Sequence, residues 1–509
     1  MNGKTKIWYL YLTLFVTGAA VLIIEITGTR VLAPFYGSTI FVWSSLISVT
    51  LGALALGYFL GGRLIDRFPM VRTLHVVVLL VGFSLFIPMK IDQWVLPFTD
   101  EFGVRSGPLA ATGILFAFPI FLLGTAGPIA IRLISLDIAH LGSVAGKVFA
   151  FSTLGSIAGA LLSGFFLLPL LSITSIFHAL GAIFLGVAMA GFFFDRPSLT
   201  AGFWVVIAAV AAFSFGFLVS KYEYQDTYTF KLYHQEQSHY GDLKVMSVGG
   251  AYCLTLNGFT QSCTDPEGQP SFGDVYEMVE VVNSSFRDSS QPESFQALLI
   301  GAGAGDIPKK ILPVIELDIV EIDPQVIKLA QDYFDFNPSP SQRVVIEDGR
   351  RFLRKSKETY DVIIFDAYAG GIIPPHFLSM EFFRLAASAL KPEGTLVMNI
   401  AGRPSGDDLL LMSIMRTAKD IFPSVAVTAT NPESKEHLQG MILYAARRPD
   451  YIYPESEWYK PVDFDVRELE RGMILVDDYS PIDFLAADTF ALFRENMRIF
   501  GGYKPFFSL

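Results

Sequence analysis

The chain has 509 residues, enough for more than one domain; 52% are hydrophobic, only 17% are charged, and the net charge is −11. Such a composition excludes an ordinary soluble protein, and the acidic balance argues against a nucleic-acid partner. The two halves differ. Residues 1–220 carry eleven Lys/Arg and seven Asp/Glu, whereas the remainder carries 27 and 42. Seven apolar runs in the first part are long enough to cross a bilayer: 8–29, 41–62, 71–89, 108–131, 148–169, 172–194 and 199–219. The first is not read as a cleaved signal, because it is long, lacks a small-residue cleavage site and leads into further spans.

Within these runs Glu25 is an intramembrane carboxylate, which marks either a functional group or an interfacial residue near Arg30. Gly52, Gly57, Gly61 and Gly62 give the second span a face of small residues suited to close helix packing. The bilayer is therefore the first partner the sequence implies. Lys221–Gln237 reads as the exit from it.

Residues 240–264 alternate apolar and polar, and Asn257-Gly258 is a strong hairpin turn signal. A two-residue loop places Cys253 opposite Ser262, so the two cysteines face different sides and are read as reduced thiols. A disulfide would need a shifted register. A loop follows at Thr264–Gly273, then a helix over 274–286. From Phe295 onward strands are predicted at 297–300, 317–321, 343–346, 361–365 and 395–399. Helices are predicted at 306–312, 324–334, 349–355 and 379–390. That alternation describes an α/β Rossmann-like, methyltransferase-type doubly wound domain.

The first of these strands runs into Gly301-x-Gly303-x-Gly305, and the second ends in Glu321. Glycines at a strand–helix turn let the backbone approach a ligand, and a carboxylate at the next strand end can accept both ribose hydroxyls. Asp348, followed by Gly349, and Asp366 also stand where strands end, and ligands of such sheets lie there. Asp348 is placed to accept from an adenine amino group. Asp366 is placed to take a proton from an amine attacking a sulfonium-activated carbon. Asp323 before Pro324 reads as a helix cap. No zinc spacing, GxSxG or P-loop is present, and no metal is expected.

These residues resemble the spermidine/spermine synthase (polyamine aminopropyltransferase) family, and its membrane-fused branch in particular, over roughly 238–485. Leu256-Asn257-Gly258 with Gln261, Tyr276-Glu277-Met278, Val320-Glu321-Ile322-Asp323-Pro324, Asp348-Gly349 with Phe352, and Tyr360–Asp366 follow the family's order. Glu25-Ile26-x-x-x-Arg30, Trp43, Gly61-Gly62-Arg63-x-x-Asp66-Arg67 and Asp477-Asp478-Tyr479-Ser480-Pro481 resemble the fused branch. The resemblance implies that Gly301, Gly303, Gly305, Glu321, Asp348 and Gly349 bind decarboxylated S-adenosylmethionine, or S-adenosylmethionine. It implies that Asp366 and Tyr276 activate an amine, and that Gln261 and Tyr368 line the amine's site. Two positions depart from the pattern. Ala304 and Ala369 stand where the family carries aspartates that grip a diamine, so the usual acceptor loses two partners. Tyr368, Pro374, Pro375 and His376 belong to the covering loop, where the histidine reads as a hydrogen-bonding residue.

The expected organisation is thus a transmembrane helical domain at 1–220, a linker and β-rich subdomain at 221–290, and a catalytic domain at 291–509. The expected activity is aminopropyl transfer to an amine. A methyltransferase on the same fold, and a transporter or sensor whose soluble domain binds without turnover, are the alternatives. A homodimer stays open. Lys4, Lys6, Arg63, Arg67, Arg72, Arg132, Lys147 and Arg196 would lie on one side, which puts the N-terminus in the cytoplasm. Seven spans would then carry the C-terminal domain outside, where an adenosyl cofactor is not expected. A cytoplasmic domain on a plasma or inner membrane is the reading adopted.

Overall fold

A computed structural model describes residues 3–37, 39–135, 140–195, 230–369, 371–451, 453, 456–487 and 489. The chain divides into two compact units near residue 225.

The first unit is helical: α1 (Gly3–Tyr36), α2 (Ile40–Arg67), α3 (Val71–Ser84), α4 (Pro88–Asp100), α5 (Gly103–Ile134), α6 (Leu141–Leu162), α7 (Leu168–Leu170) and α8 (Ile173–Phe194). Among the described residues, five helical segments are long and apolar enough to cross a membrane: Lys6–Ala33, Ile40–Arg67, Gly103–Ile134, Leu141–Leu167 and Ile173–Phe193. The predicted run 71–89 is instead the first arm of a bent pair. Helices α3 and α4 meet at 57°, with Pro88 opening the second arm. The predicted span 199–219 lies outside the described residues. Small residues set the helix contacts. A Cβ on Gly57 would come within 2.3 Å of the Phe121 carbonyl, and one on Gly61 within 2.7 Å of Thr125 Cα, so α2 and α5 touch backbone to backbone. Gly52 and Gly62 of the same glycine group face open space. Gly18, Gly155 and Gly159 give α1 and α6 an equally close crossing.

The second unit opens with a four-stranded antiparallel sheet, β1 (Phe230–Gln237), β2 (Asp242–Val248), β3 (Ala251–Leu256) and β4 (Phe259–Thr264). Asn257 and Gly258 both take positive φ at the β3–β4 turn, as a tight hairpin requires. The hairpin carries a bulge. Leu254 pairs with Ser262 but Thr255 pairs with Thr260, which leaves Gln261 as the extra residue. That shift sets Cys253 opposite Cys263, and the two form a disulfide with Cα atoms 4.1 Å apart. The expectation of reduced cysteines is therefore overturned. It assumed an unbroken register, and the one-residue slip that a disulfide needs is present.

After α9 (Gly273–Arg287) comes an eight-stranded sheet in the order β12-β10-β11-β9-β8-β5-β6-β7. Its parallel part is β5 (Gln296–Ile300), β6 (Glu316–Glu321), β7 (Gln342–Ile346), β8 (Tyr360–Phe365) and β9 (Leu390–Gly402). The helices between them are α10 (Asp306–Lys310), α11 (Pro324–Tyr333), α12 (Gly349–Lys355) and α13 (Met380–Ala389). All nine elements fall where the sequence places them. The sheet then continues antiparallel through α14 (Leu409–Lys419), β10 (Ser424–Ala429), β11 (Gln439–Ala446), β12 (Lys460–Val462) and α15 (Val466–Glu470). Two apolar clusters cover the sheet. One is built around Phe365, Phe377, Phe382, Phe383 and Met412, the other around Met278, Val282, Leu299, Phe336 and Tyr444.

Candidate active site

The parallel strands end at a cavity of about 700 Å³, a size suited to a small molecule. At the first strand end Gly301 has φ +96°, and a Cβ there would lie 2.1 Å from the Asp366 carbonyl. Glycine is required because neighbouring strand ends close onto this turn: Gly301 N–H donates to the Val320 carbonyl and Asp366 N–H to the Ile300 carbonyl. At Gly303 a Cβ would meet Ser262 Oγ at 2.6 Å. That hydroxyl, from the β-rich subdomain, accepts from Ala304 N–H at 3.0 Å.

Glu321 ends β6 and is nearly buried. Its two oxygens accept from Ala302 N–H at 3.0 Å and Asp323 N–H at 2.9 Å. Burial pushes its carboxyl above the usual range, and these donors oppose that shift. Asp323 caps α11 through Gln325 N–H, as expected. Asp348 caps α12 by accepting from Arg351 N–H at 2.8 Å. Its carboxyl is held low, first by the His376 side chain, whose Nε2 is 3.5 Å from Asp348 Oδ2. Gly349 follows on the cavity wall, where a Cβ would collide with Ile300. Glycines, Glu321 and Asp348 thus converge at one end of the cavity.

Asp366 follows β8, beside the Gly301 turn. It reaches the cavity, yet protein encloses it enough that burial, reinforced by the Asp274 charge, pushes its carboxyl up to about 7. Asn399 Nδ2 donates to Asp366 Oδ1 at 3.0 Å and to Asp274 Oδ2 at 2.7 Å, so one amide ties the two acids together. Burial also raises the Asp274 carboxyl. Tyr368 OH donates to the Asn399 carbonyl at 3.1 Å. Gln261, turned out by the bulge, lines the same cavity.

Two expected site residues, Tyr276 and Gly305, stand elsewhere. Tyr276 is not among the lining residues; its ring lies under the Lys310 ammonium at 5.0 Å. Positions 274 and 276 are about 200° apart around a helix, so α9 turns Asp274 to the cavity and Tyr276 away. Gly305 has φ +77° and packs against Phe336 as the turn into α10. Ala304 is buried in a cluster with Leu243, Val245 and Leu254, whereas Ala369 does line the cavity. Asp274 and Asn399 were not singled out from the sequence. Asn399 ends a predicted strand, the position that marked the acids; Asp274 carried no such signal.

A further device holds the covering loop. Arg350, 6% exposed, binds both oxygens of Asp477 at 2.8 and 2.5 Å and donates to the His376 carbonyl at 2.9 Å. Ser379 Oγ also donates to Asp477 at 2.6 Å. The Asp477–Pro481 stretch therefore fastens the loop that carries His376 against α12.

Residues 282–450 match the family model for the spermine/spermidine synthase domain. The polyamine aminopropyltransferase of Vibrio vulnificus is 31% identical over 33% of this chain and 58% of its own length. The N-terminal histidine N-methyltransferase of Emericella nidulans is 32% identical over 34% of this chain and 32% of its own length, so the chain spans well under two thirds of both relatives. Polyamine aminopropyltransferase 2 of Aquifex aeolicus is 25% identical, covering 81% of this chain and 82% of that relative. Glycine turn, strand-end acids and family match coincide in one place: the C-terminal part of this chain carries a spermine/spermidine synthase domain.

Proposed function

We propose that the protein is a membrane-anchored aminopropyltransferase. It transfers the aminopropyl group of decarboxylated S-adenosylmethionine to an amine. One observation carries the choice of donor: the described lining residues include six carboxylates, Asp274, Glu321, Asp323, Glu347, Asp348 and Asp366, and no Lys or Arg. A sulfonium nucleoside with an ammonium tail is favoured in such a cavity. S-adenosylmethionine adds a carboxylate for which the described lining offers no Lys or Arg.

In this reading Gly301, Gly303, Glu321, Asp348 and Gly349 hold the nucleoside. Asp366 takes the proton from the acceptor nitrogen. The nitrogen lone pair forms the new N–C bond, the C–S bond breaks, and its electron pair stays on sulfur in methylthioadenosine. A carboxyl near 7 suits that proton transfer at neutral pH. Asp274, tied to Asp366 through Asn399, meets the ammonium of the donor.

The methyltransferase reading stays as a competitor, because one relative is named as an N-methyltransferase. Product analysis separates the two. Full-length protein in detergent is given each sulfonium nucleoside with a panel of amines. Methylthioadenosine with aminopropylated amine supports the proposal. S-adenosylhomocysteine with methylated amine replaces it with the methyltransferase reading. Calorimetric silence toward both nucleosides and toward methylthioadenosine would remove both.

A further inference from the structure

The charge inventory of the cavity limits the second substrate. At the nucleoside end the acids are already engaged. Glu321 accepts from two backbone amides, Asp323 and Asp348 cap helices, and Glu347 pairs with Arg351 at 2.9 Å and Lys355 at 2.5 Å. At the amine end stand Asp274 and Asp366, which accept from the neutral amide of Asn399 rather than from a cation. The rest of that wall includes Phe272, Tyr368, Ala369, Ile400, Ala401 and Leu438, with neutral Gln261 and Gln439.

Resting on the aminopropyl-transfer reading, we infer that the acceptor is an amine with a single cationic nitrogen on an uncharged, apolar body, and that Asp274 is the specificity-determining carboxylate. Two acids serve two nitrogens. Asp274 meets the ammonium at the end of the donor's propyl chain, which leaves Asp366 alone to face the nitrogen that attacks. A second ammonium on the acceptor would rest against alanine, isoleucine and leucine, where a charge without a partner is costly. An alkyl or aromatic body fits the same wall. Asn399 enforces the count: its two amide hydrogens hold Asp274 and Asp366 side by side, which concentrates negative charge at one point and leaves the far wall neutral.

The test uses full-length protein in detergent with decarboxylated S-adenosylmethionine. Methylthioadenosine release is measured with n-pentylamine and with the α,ω-diamine of the same chain length. The expected kcat/KM favours the monoamine by about tenfold or more. Equal use of the two, or preference for the diamine, overturns the inference while leaving aminopropyl transfer intact. Ala369→Asp places a carboxylate at an exposed position of the neutral wall, and is expected to move the ratio about tenfold toward the diamine. An unmoved ratio counts against it. If neither amine is turned over, both are titrated into protein saturated with methylthioadenosine, where tighter or equal binding of the diamine again overturns it. Failure to bind any sulfonium nucleoside or methylthioadenosine is a different result, because it removes the parent reading and this inference together.

Discussion

The two ends of the cavity are built differently. The end proposed to hold the nucleoside is local: Gly301 and Gly303, Glu321, and Asp348 with Gly349 close three successive strands, and each sits in a short recognisable stretch. The group proposed to meet the amine is assembled from afar. Asp274 comes from α9, Asp366 from the end of β8 and Asn399 from β9, so that the Asn399 amide reaches a carboxylate 125 positions away in sequence. A local site keeps its ligand contacts when one neighbour changes. An assembled site depends on every member, and its electrostatics belong to the group.

The largest expected effect breaks the assembled end. Asp366→Asn removes the proton acceptor and should lower turnover by about 10²- to 10⁴-fold. Calorimetry should find nucleoside affinity nearly unchanged, since the substitution keeps the backbone beside Gly301 and alters only the carboxylate. Loss of both together would show that the ends are not separable. The wild-type protein should gain kcat/KM as pH rises through about 7, as Asp366 loses its proton. Stability follows the opposite course. A carboxyl whose folded pKa is raised adds stability below the ordinary aspartate value, and that contribution is lost as pH rises through about 7. Asp366→Asn should therefore narrow the difference in Tm between mildly acidic and mildly alkaline buffer.

Glu321→Gln addresses the local end. It should weaken nucleoside binding by about ten- to a hundredfold, because a charged acceptor to the ribose is lost and the backbone donors at Ala302 and Asp323 keep a poorer partner. The amine dependence of the residual activity should stay as in the wild type. Asp274→Asn is smaller in rate and more telling in pH. The Asp274 charge helps to raise Asp366, so its removal should move the acidic limb of the pH profile to lower pH. A purely structural Asp274 would lower activity without moving that limb.

This contrast also explains what the sequence disclosed. Strands β5 to β9 and the helices between them follow from apolar runs and turn residues, which are properties of a dozen neighbours. Glu321 and Asp348 were legible because strand ends are predictable and ligands gather there. Asp274 was not, because its role depends on which face α9 turns to the sheet. The adjacent Tyr276 was the more conspicuous residue and faces Lys310. The disulfide was missed for a similar reason. Pairing across a hairpin is set by register, and the bulge at Gln261 carries no short sequence signature. The antiparallel extension through β10, β11 and β12 was also left unassigned, although its inner strand β11 supplies Gln439 and Gly440 to the cavity wall.

The smallest expected effect concerns the loop that spans neither end alone. Arg350 is buried, charged and bound at once to Asp477 and to the His376 carbonyl, so its guanidinium couples the Asp477–Pro481 stretch to the loop whose histidine faces Asp348. Replacing Arg350 by Ala would leave Asp477 without its cation and would conflate folding with function. Asp477→Asn is the cleaner variant. It keeps a hydrogen-bonding side chain beside Ser379 and Arg350 and removes only the charge. The loop should loosen while the fold stays, and nucleoside affinity should fall by about two- to tenfold as His376 spends less time against Asp348. Hydrogen exchange confined to residues around 374–378 would locate the change. If exchange rises there and affinity does not fall, the loop covers the site without contributing to nucleoside binding, and Asp348 holds its ligand unaided by the loop.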